Sequence, residues 1–303
     1  MEIIRVQNVH KEINGISILK DINFRIKEGS IIGLLGPNGA GKTTMLRLMN
    51  GVIDATSGTM SIFGFDPKRE GEEIRKRSGI VTESASLYHE MSALANLNFF
   101  ADIYEVSDKA RIGYLLEQFN LAHVKDQNVG TFSTGMKKRL ALAKALLHKP
   151  RLLFLDEPTN GLDPEGINEV IHYLKRINEE EGVTIVICSH VLHQLEDICD
   201  SFLFLKKGQL VEKGNRRELE EKYLKEVKLL VETNLKVASS GFYTGYPFEK
   251  KGEGLIEFTL ESKDQISPLI EKILTKAWVH ECKITNRSLE ALYFKIKGDT
   301  GDE

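Results

Sequence analysis

The chain of 303 residues is 41% apolar and 28% charged, which is enough apolar material to fill the core of more than one folded unit. This composition excludes a chain that is disordered throughout. The 41 basic and 44 acidic residues leave a net charge of −3, so no basic excess attracts a polyphosphate backbone, and we expect no nucleic-acid partner. No apolar run approaches the roughly 20 residues that cross a bilayer, and the first residues lack the features of a signal peptide. We therefore expect a cytosolic protein, unless another component tethers it.

Short apolar runs alternate with amphipathic segments up to about residue 214, which is the pattern of strands and crossover helices in an α/β sheet. We expect one α/β domain over residues 1–215. Four of the runs are predicted to be buried strands: Ile31–Leu35, Leu152–Leu155, Thr184–Cys188 and Phe202–Leu205.

The pattern changes to helices inside this domain, at about residues 68–147. The sequence therefore predicts a helical subdomain inserted into the α/β domain. Apolar residues recur there at helical spacing in two places, first at Leu94, Leu97 and Phe100 and then at Leu115, Leu116 and Phe119.

A different pattern follows the α/β domain. The strongly charged residues 216–227 are predicted to form a linker helix, and residues 228–303 a small α+β accessory domain. The predicted elements of that domain are strands at Lys228–Glu232, Leu255–Leu260 and Val279–Ile284, a helix at Lys263–Lys276 and a final helix capped by Ser288.

Three cysteines occur in the chain, at Cys188, Cys199 and Cys282. Their number is odd, and their spacing matches neither a disulfide framework nor a CxxC metal site. We interpret them as reduced thiols in the core.

A glycine-rich segment follows the predicted strand Ile31–Leu35 and precedes an apolar helical run. It matches the pattern GxxxxGK[ST], in which glycines let backbone N–H groups converge on phosphate oxygens and a helix N-terminus adds positive potential. Lys42 is expected to reach the β- and γ-phosphates, the Thr43 hydroxyl to ligate Mg²⁺, and Thr44 to reach the α-phosphate. The predicted nucleotide-binding residues are Gly36, Pro37, Asn38, Gly39, Ala40, Gly41, Lys42, Thr43 and Thr44.

Two adjacent carboxylates follow the predicted strand Leu152–Leu155, at the edge where open α/β sheets hold ligands. Asp156 is expected to hold Mg²⁺ through water. Glu157, one residue further on and facing the other way, is expected to polarise the attacking water.

The segment Phe132-Ser133-Thr134-Gly135-Met136 precedes this acidic strand, and with the motifs above it resembles the ATP-binding subunits of ABC transporters. It is similar to the family signature, commonly Leu-Ser-Gly-Gly-Gln, and its Ser-x-Gly-Met-Lys form resembles a branch rich in exporter subunits. The resemblance implies that Ser133 caps a helix whose free N–H groups point to a γ-phosphate held by a second protomer. The expected contacts in trans are Ser133, Thr134, Gly135 and Met136.

The resemblance extends to three later segments. Asn160-Gly-Leu-Asp163-Pro164 is similar to the D-loop of the family, and Asp163 with Pro164 also makes a favourable helix start. His190 follows a predicted strand and matches the switch histidine, whose implied role is to hydrogen-bond the γ-phosphate. The segment from Ser288 to Tyr293 is similar to the end of exporter subunits that carry a small C-terminal domain.

Two positions depart from the family pattern. Glu83 lies where the family has the glutamine of its Q-loop; its carboxylate can ligate Mg²⁺ but adds negative charge near a triphosphate. Ile13 lies where many members stack an aromatic ring on adenine, so apolar contact remains while ring stacking is lost.

The resemblance implies a P-loop ABC-type ATPase core with a helical subdomain, an enzyme that binds ATP and Mg²⁺ and hydrolyses the ATP. This chain and a second copy, or a homologous ATPase subunit, would close head to tail. They would drive a separate transmembrane permease from the cytoplasmic side of the cell membrane. Export of a drug-like, lipid-like or peptide compound is the expected use.

Three other functions share a phosphate loop. A soluble ABC-type ATPase acting on nucleic acid or ribosomes is the main alternative, but it typically has two fused nucleotide domains or a long coiled coil between loop and signature, whereas this chain has one domain and about 90 intervening residues. A GTPase or nucleotide kinase does not account for residues 132–136, and no Asn-Lys-x-Asp guanine motif occurs. An inactive binding module conflicts with the presence of Lys42, Asp156, Glu157 and His190.

Overall fold

The computed structural model describes residues 1–82, 86–189 and 191–299 of the chain. The chain is divided into two compact units, Met1–Lys213 and Gly214–Glu303, and each unit has a hydrophobic core of its own. Within these described ranges, no helix is both long enough and apolar enough to pass through a bilayer.

The first unit contains nine strands and seven α-helices among its described residues. The strands are β1 (Glu2–Ile13), β2 (Ile16–Lys27), β3 (Ile31–Leu35), β4 (Ser57–Ile62), β5 (Ser78–Val81), β6 (Leu152–Asp156), β7 (Thr184–Ser189), β8 (Ser201–Lys206) and β9 (Gln209–Gly214). The helices are α1 (Lys42–Met49), α2 (Pro67–Arg75), α3 (Ala93–Ile103), α4 (Ala110–Gln118), α5 (Thr134–Ala145), α6 (Pro164–Glu181) and α7 (Leu192–Leu195).

Six strands form the central sheet, in the order β5-β6-β7-β3-β8-β9. The pairs from β5 across to β8 are parallel, and β3, β6 and β7 are buried at every residue, as expected for parallel strands covered on both faces. The four strands predicted from apolar runs are therefore confirmed. Because Leu35 pairs with Ser189 and Asp156 with Cys188, the carboxyl ends of β3, β6 and β7 meet at one edge.

A second sheet, antiparallel and in the order β2-β1-β4, was not predicted from the sequence pattern. It shares one core with the central sheet, in which Ile4 and Leu19 of the small sheet join Met45 and Leu46 of α1. The shared core therefore includes α1 together with strands of both sheets, and the segment before α1 is the predicted phosphate loop.

The helical insertion predicted at about residues 68–147 contains α2 to α5, and the two apolar patterns within it lie on α3 and at α4. It is not helical throughout, because β5 joins the central sheet beside β6. With only four residues, β5 is too short for the two-residue alternation of a strand to be recognised in the sequence. A Cβ atom on Gly79 would lie 2.3 Å from the Ala145 carbonyl oxygen, so the glycine permits the close approach of α5 to this strand.

The second unit is a five-stranded antiparallel sheet with three α-helices among its described residues. Its elements are α8 (Arg216–Tyr223), β10 (Val227–Thr233), β11 (Ser240–Tyr243), β12 (Tyr246–Gly252), β13 (Leu255–Leu260), α9 (Ile266–Leu274), β14 (Val279–Ile284) and α10 (Leu289–Asp299). The strand order is β11-β12-β13-β10-β14, and Leu269 and Ile273 of α9 pack on the sheet.

The charged helix α8 belongs to this second unit. It ends at Tyr223, and β10 begins within the range predicted as linker helix. The carboxylate of Glu220 accepts hydrogen bonds from Arg216 Nε at 2.8 Å and from Arg287 Nη1 at 3.1 Å, which ties α8 to the residues before α10. Ser288 caps α10 as predicted, since its hydroxyl accepts from the Ala291 N–H at 3.1 Å.

The interpretation of all three cysteines as core thiols is wrong for one of them. Cys188 is buried on β7 and Cys199 is partly buried, but Cys282 is exposed. Cys282 lies on β14, which pairs with one neighbour only because it forms an edge of the sheet. An edge strand is covered less than a central one, so its alternating apolar residues do not guarantee burial.

Removing the second unit tests its part in nucleotide binding. A chain ending at Lys213 keeps the first unit's core and all the predicted phosphate-contacting residues, so we expect it to bind ATP within about threefold of the full chain, a change of less than 1 kcal/mol. Equilibrium titration with labelled ATP measures this. Lost binding in a truncated chain that circular dichroism shows to be folded would mean that the second unit completes the site.

Candidate functional site

The glycine-rich loop connects β3 to α1, with Gly41 at the cap position and Lys42 as the first helical residue. Gly41 has a φ of 103°, which a side chain would strain, and a Cβ atom there would lie 2.6 Å from Leu19 Cδ2. Lys42 is 7% exposed, and its Nζ donates to the carbonyl oxygens of Gly36 at 2.7 Å and Pro37 at 3.2 Å. The ammonium group therefore lies across the loop and not in solvent.

The Thr43 hydroxyl joins this loop to the end of β6. It donates to Asp156 Oδ2 at 2.7 Å, and Asp156 is 6% exposed. On the next strand, burial raises the pKa of the Cys188 thiol, and the Asp156 carboxylate raises it further. The thiol therefore stays neutral at physiological pH.

Glu157 directly follows β6 and leaves the strand in a left-handed conformation, with a φ of 51°. Its N–H donates to the Cys188 carbonyl oxygen at 2.9 Å, and its own carbonyl accepts from the Asn160 N–H at 3.3 Å. The backbone therefore turns directly after Asp156, the last residue of β6. That the two adjacent carboxylates serve different tasks stays a prediction.

These residues surround a cleft of about 500 Å³. The sequence predicted most of its lining, but Ile18 and Asn160 were not among the predicted nucleotide-binding residues. Ile13, predicted to contact adenine, lies 42% exposed at the end of β1, where it pairs with Ile16 and does not line the cleft. The lining consists of Ile18, Asn38, Gly39, Ala40, Gly41, Lys42, Thr43, Thr44, Asp156, Glu157 and Asn160.

The signature segment lies in a second cleft, of about 520 Å³. Ser133 caps α5 as predicted, because its hydroxyl accepts from the Met136 N–H at 3.2 Å. Thr134 and Gly135 line this cleft beside the loop that precedes α6, where Asp163 caps the helix by accepting from the Gly166 N–H. No residue of the phosphate loop lines this second cleft, so among the described residues the phosphate loop and the signature line two different clefts of the chain.

Two predicted site residues, Glu83 and His190, lie outside the described residues.

The chain matches known proteins in sequence and in fold. Residues 19–160 match the sequence profile described as ABC transporter. The chain is 34% identical over 302 residues to the uncharacterized ABC transporter ATP-binding protein YhcH of Bacillus subtilis, a match that covers 99% of this chain and 98% of the relative. The chain belongs to the ABC transporter family. It is an ATP-binding and ATP-hydrolysing subunit that powers an ABC transporter, and the predicted fold class and enzyme class are confirmed.

Two further matches extend the comparison. The bacitracin transport ATP-binding protein BcrA of Bacillus licheniformis is 35% identical to this ABC transporter subunit over 301 residues, covering 98% of this chain and 97% of the relative. A dimeric ATP-binding cassette bound to ADP and Pi, in a post-hydrolysis state, superposes with a TM-score of 0.64 at 26% identity. That match covers 70% of this chain and 98% of the cassette.

Proposed function

We propose that this ATPase subunit drives the export of a drug-like, lipid-like or peptide compound by closing head to tail on a second copy of itself or a homologous subunit. A separate transmembrane permease holds the pair at the cytoplasmic side of the cell membrane. The observation that carries the proposal is that the phosphate loop, Asp156 and Glu157 line one cleft while the signature residues line another.

Head-to-tail pairing brings the two halves together. The cleft at Lys42 of one protomer faces Ser133 of its partner, so the first turn of α5 supplies N–H groups to the γ-phosphate. Thr134, Gly135 and Met136 accompany Ser133 at this contact. The relative with ADP and Pi is dimeric, which supports a paired arrangement for this chain as well.

The phosphate loop binds the triphosphate through its backbone N–H groups, and Lys42 exchanges its contacts with the Gly36 and Pro37 carbonyls for contacts with the β- and γ-phosphates. Thr43 and Asp156 suit Mg²⁺, which prefers oxygen ligands, because their oxygens already lie 2.7 Å apart at the base of the cleft. Bound Mg²⁺ neutralises charge on the phosphates. Glu83 is a third oxygen donor in this proposal.

Glu157 accepts a proton from the attacking water, as the general base. Asp156 ends β6 and already bonds Thr43, whereas Glu157 lies in the turn after the strand, so this proposal assigns the first acid to metal and the second to water. His190 is the proposed hydrogen-bond donor to the γ-phosphate. Ile18, on the cleft wall, provides the apolar contact for the adenine ring that the sequence assigned to Ile13.

An aromatic cluster on the helical insertion, formed by Tyr88, Phe99, Phe100 and Tyr104, is the proposed docking surface for the permease. The Tyr88 ring lies 5.0 Å from Phe99 and 5.9 Å from Phe100, between ring centroids, and Phe100 lies 6.4 Å from Tyr104. Tyr88 is 49% exposed, and Phe99 and Tyr104 are each 37% exposed. Contiguous exposed aromatic rings are typical of protein interfaces.

Export is supported by the relative described as a bacitracin transport protein, because that match includes the second unit as well as the ATPase unit. The main alternative, a soluble ATPase acting on nucleic acid or ribosomes, is not favoured by the net charge of −3. Neither full-length relative described above is named for such an activity.

Replacing Tyr88 and Phe99 together with serine tests the docking surface. We expect the double variant to bind ATP as the wild type does but to lose its membrane subunit. Aromatic side chains that become buried at the centre of an interface contribute about 2 kcal/mol or more each. The measurement is the ratio of permease to ATPase subunit after affinity purification from detergent-solubilised membranes. Phe242→Ser, at an exposed ring in the second unit, is the matched control, and an unchanged ratio in the double variant would reject the surface.

Purification of the wild-type chain from the membranes of its own cell tests the proposed function itself. We expect a polytopic membrane protein in the eluate, and ATP hydrolysis by the reconstituted complex that increases when the exported compound is added. Bacitracin is the first compound to assay, because one relative is described as a bacitracin transport protein. Retention of ribosomal or nucleic-acid components in place of a membrane protein would instead support the soluble alternative.

A further inference from the structure

The signature helix α5 also contacts the site of its own chain. Lys138, in the second turn of this helix, is 5% exposed, and its Nζ donates to the backbone carbonyl oxygen of Glu157 at 3.2 Å. A buried ammonium group needs hydrogen-bond partners, and this one has a partner at the residue proposed as the general base.

Glu157 depends on such contacts for its conformation. A non-glycine residue with a φ of 51° persists only where the surroundings hold it. The Cys188 carbonyl holds the N–H of Glu157, while Lys138 and the Asn160 N–H hold its carbonyl. The direction in which the Glu157 side chain leaves the backbone therefore depends partly on α5.

A second contact joins the same two regions. A Cβ atom on Gly161 would lie 3.1 Å from Thr134 Cγ2, and one on Gly135 would lie 3.3 Å from Leu162 Cδ2. The loop after Glu157 is therefore packed against the start of α5 with little room for a methyl group. A shift of α5 cannot leave the backbone around Glu157 unchanged.

We propose that Lys138 is a positioning residue that links the two nucleotide sites of a pair. The first turn of α5 meets the nucleotide held by the partner, and the second turn holds the general base of its own chain. Engagement of the signature at one site therefore sets the orientation of Glu157 at the other. This inference rests on the proposed head-to-tail function.

Lys138→Met tests the link, since it removes the ammonium group and keeps a side chain of similar length. We expect the affinity for ATP to stay unchanged, while kcat falls about 10- to 100-fold because the base is misplaced. The Hill coefficient for ATP should fall from a value approaching about 2, the number of sites, to about 1. Lys137→Met is the matched control, because Lys137 is the neighbouring residue and its Nζ meets the Gly130 carbonyl at 3.4 Å.

A double variant separates positioning from a general structural role. If Lys138 acts through Glu157, then adding Lys138→Met to Glu157→Gln should lower the residual turnover no further. A structural role would instead add a further loss and weaken ATP binding. Where thermal unfolding shows that Lys138→Met does not fold, Lys138→Gln replaces it in both measurements, with the same results expected.

Three outcomes overturn the link. Lys138→Met could have the same kcat and Hill coefficient as the wild type, the losses in the double variant could multiply, or the wild-type protein itself could have a Hill coefficient of 1. Each can occur while Glu157→Gln still forms an ATP-dependent pair, in which case the proposed function stands without the link. If neither the wild type nor Glu157→Gln pairs in ATP, the head-to-tail function is itself rejected, and the link with it.

Discussion

Replacing Lys42 with alanine is expected to abolish ATP binding at concentrations that saturate the wild type. The Lys42 ammonium is buried within the loop and is the group proposed to meet both the β- and γ-phosphates. Charge-assisted hydrogen bonds contribute about 1.5–3 kcal/mol each, so the loss of two weakens ATP binding by about 100-fold or more. Equilibrium titration with fluorescently labelled ATP measures the affinity, and turnover should fall with it.

A control separates this effect from a general loss of lysine charge. Lys68→Ala removes an exposed lysine on α2, away from the cleft, and should bind ATP as the wild type does. Thermal unfolding establishes that the Lys42 variant is folded. A folded Lys42→Ala chain with wild-type affinity would mean that this loop is not the phosphate site.

Replacing Glu157 with glutamine is expected to separate binding from hydrolysis. Amide and carboxylate are nearly isosteric, so the left-handed turn and its hydrogen bonds to Cys188 and Lys138 should survive, because both involve backbone atoms of Glu157. The side chain can no longer accept a proton from water. General-base catalysis contributes about 10²–10⁴-fold, so kcat should fall by at least about 100-fold with little change in ATP affinity.

Single-turnover hydrolysis of radiolabelled ATP is the measurement, because it reports chemistry without product release. Asn160→Ala is a useful comparison, since it changes another residue on the cleft wall but leaves the acid in place. Hydrolysis by Glu157→Gln at a rate close to that of the wild type would remove Glu157 as the base.

The strands that carry the motifs could be predicted from sequence because they are buried on both faces. Ile31–Leu35 and Thr184–Cys188 are largely apolar runs. A short apolar run that is followed by glycines or carboxylates is typical of a buried strand that ends at a ligand site. The parallel register then brings the phosphate loop and Asp156 to one edge. The Thr43–Asp156 hydrogen bond is a consequence of that register, although the sequence separates the two residues by 113 positions.

The elements that escaped prediction lack this signal. The antiparallel sheet β2-β1-β4 has one covered face and several register shifts, so its apolar residues do not alternate regularly. The adenine contact assigned to Ile13 by resemblance stays a prediction, and the structure places this residue 42% exposed at the end of β1. Ile18 lies on the facing strand, and only the fold brings it to the cleft wall.

The contact between Lys138 and Glu157 could not be predicted either. It joins residues 19 positions apart, and it involves a backbone carbonyl that any residue would provide. In the sequence, Lys138 is one of several basic residues on a helix that bears the signature. Its burial, which sets it apart from the adjacent Lys137 and Arg139, depends on how α5 packs in the folded unit.

The measurement that tests the shared site most directly is the molar mass of Glu157→Gln in ATP and Mg²⁺, from size-exclusion chromatography with light scattering. ATP that contacts Lys42 of one protomer and Ser133 of the other stabilises the pair for as long as the γ-phosphate is attached. We expect the mass of a dimer, twice 34.2 kDa, in ATP and of a monomer in ADP. Adding Ser133→Arg, which blocks the signature but not the phosphate loop, should return an ATP-bound monomer. A Glu157→Gln chain that is saturated with ATP yet monomeric, or a dimer that Ser133→Arg leaves intact, would contradict a site shared between two protomers.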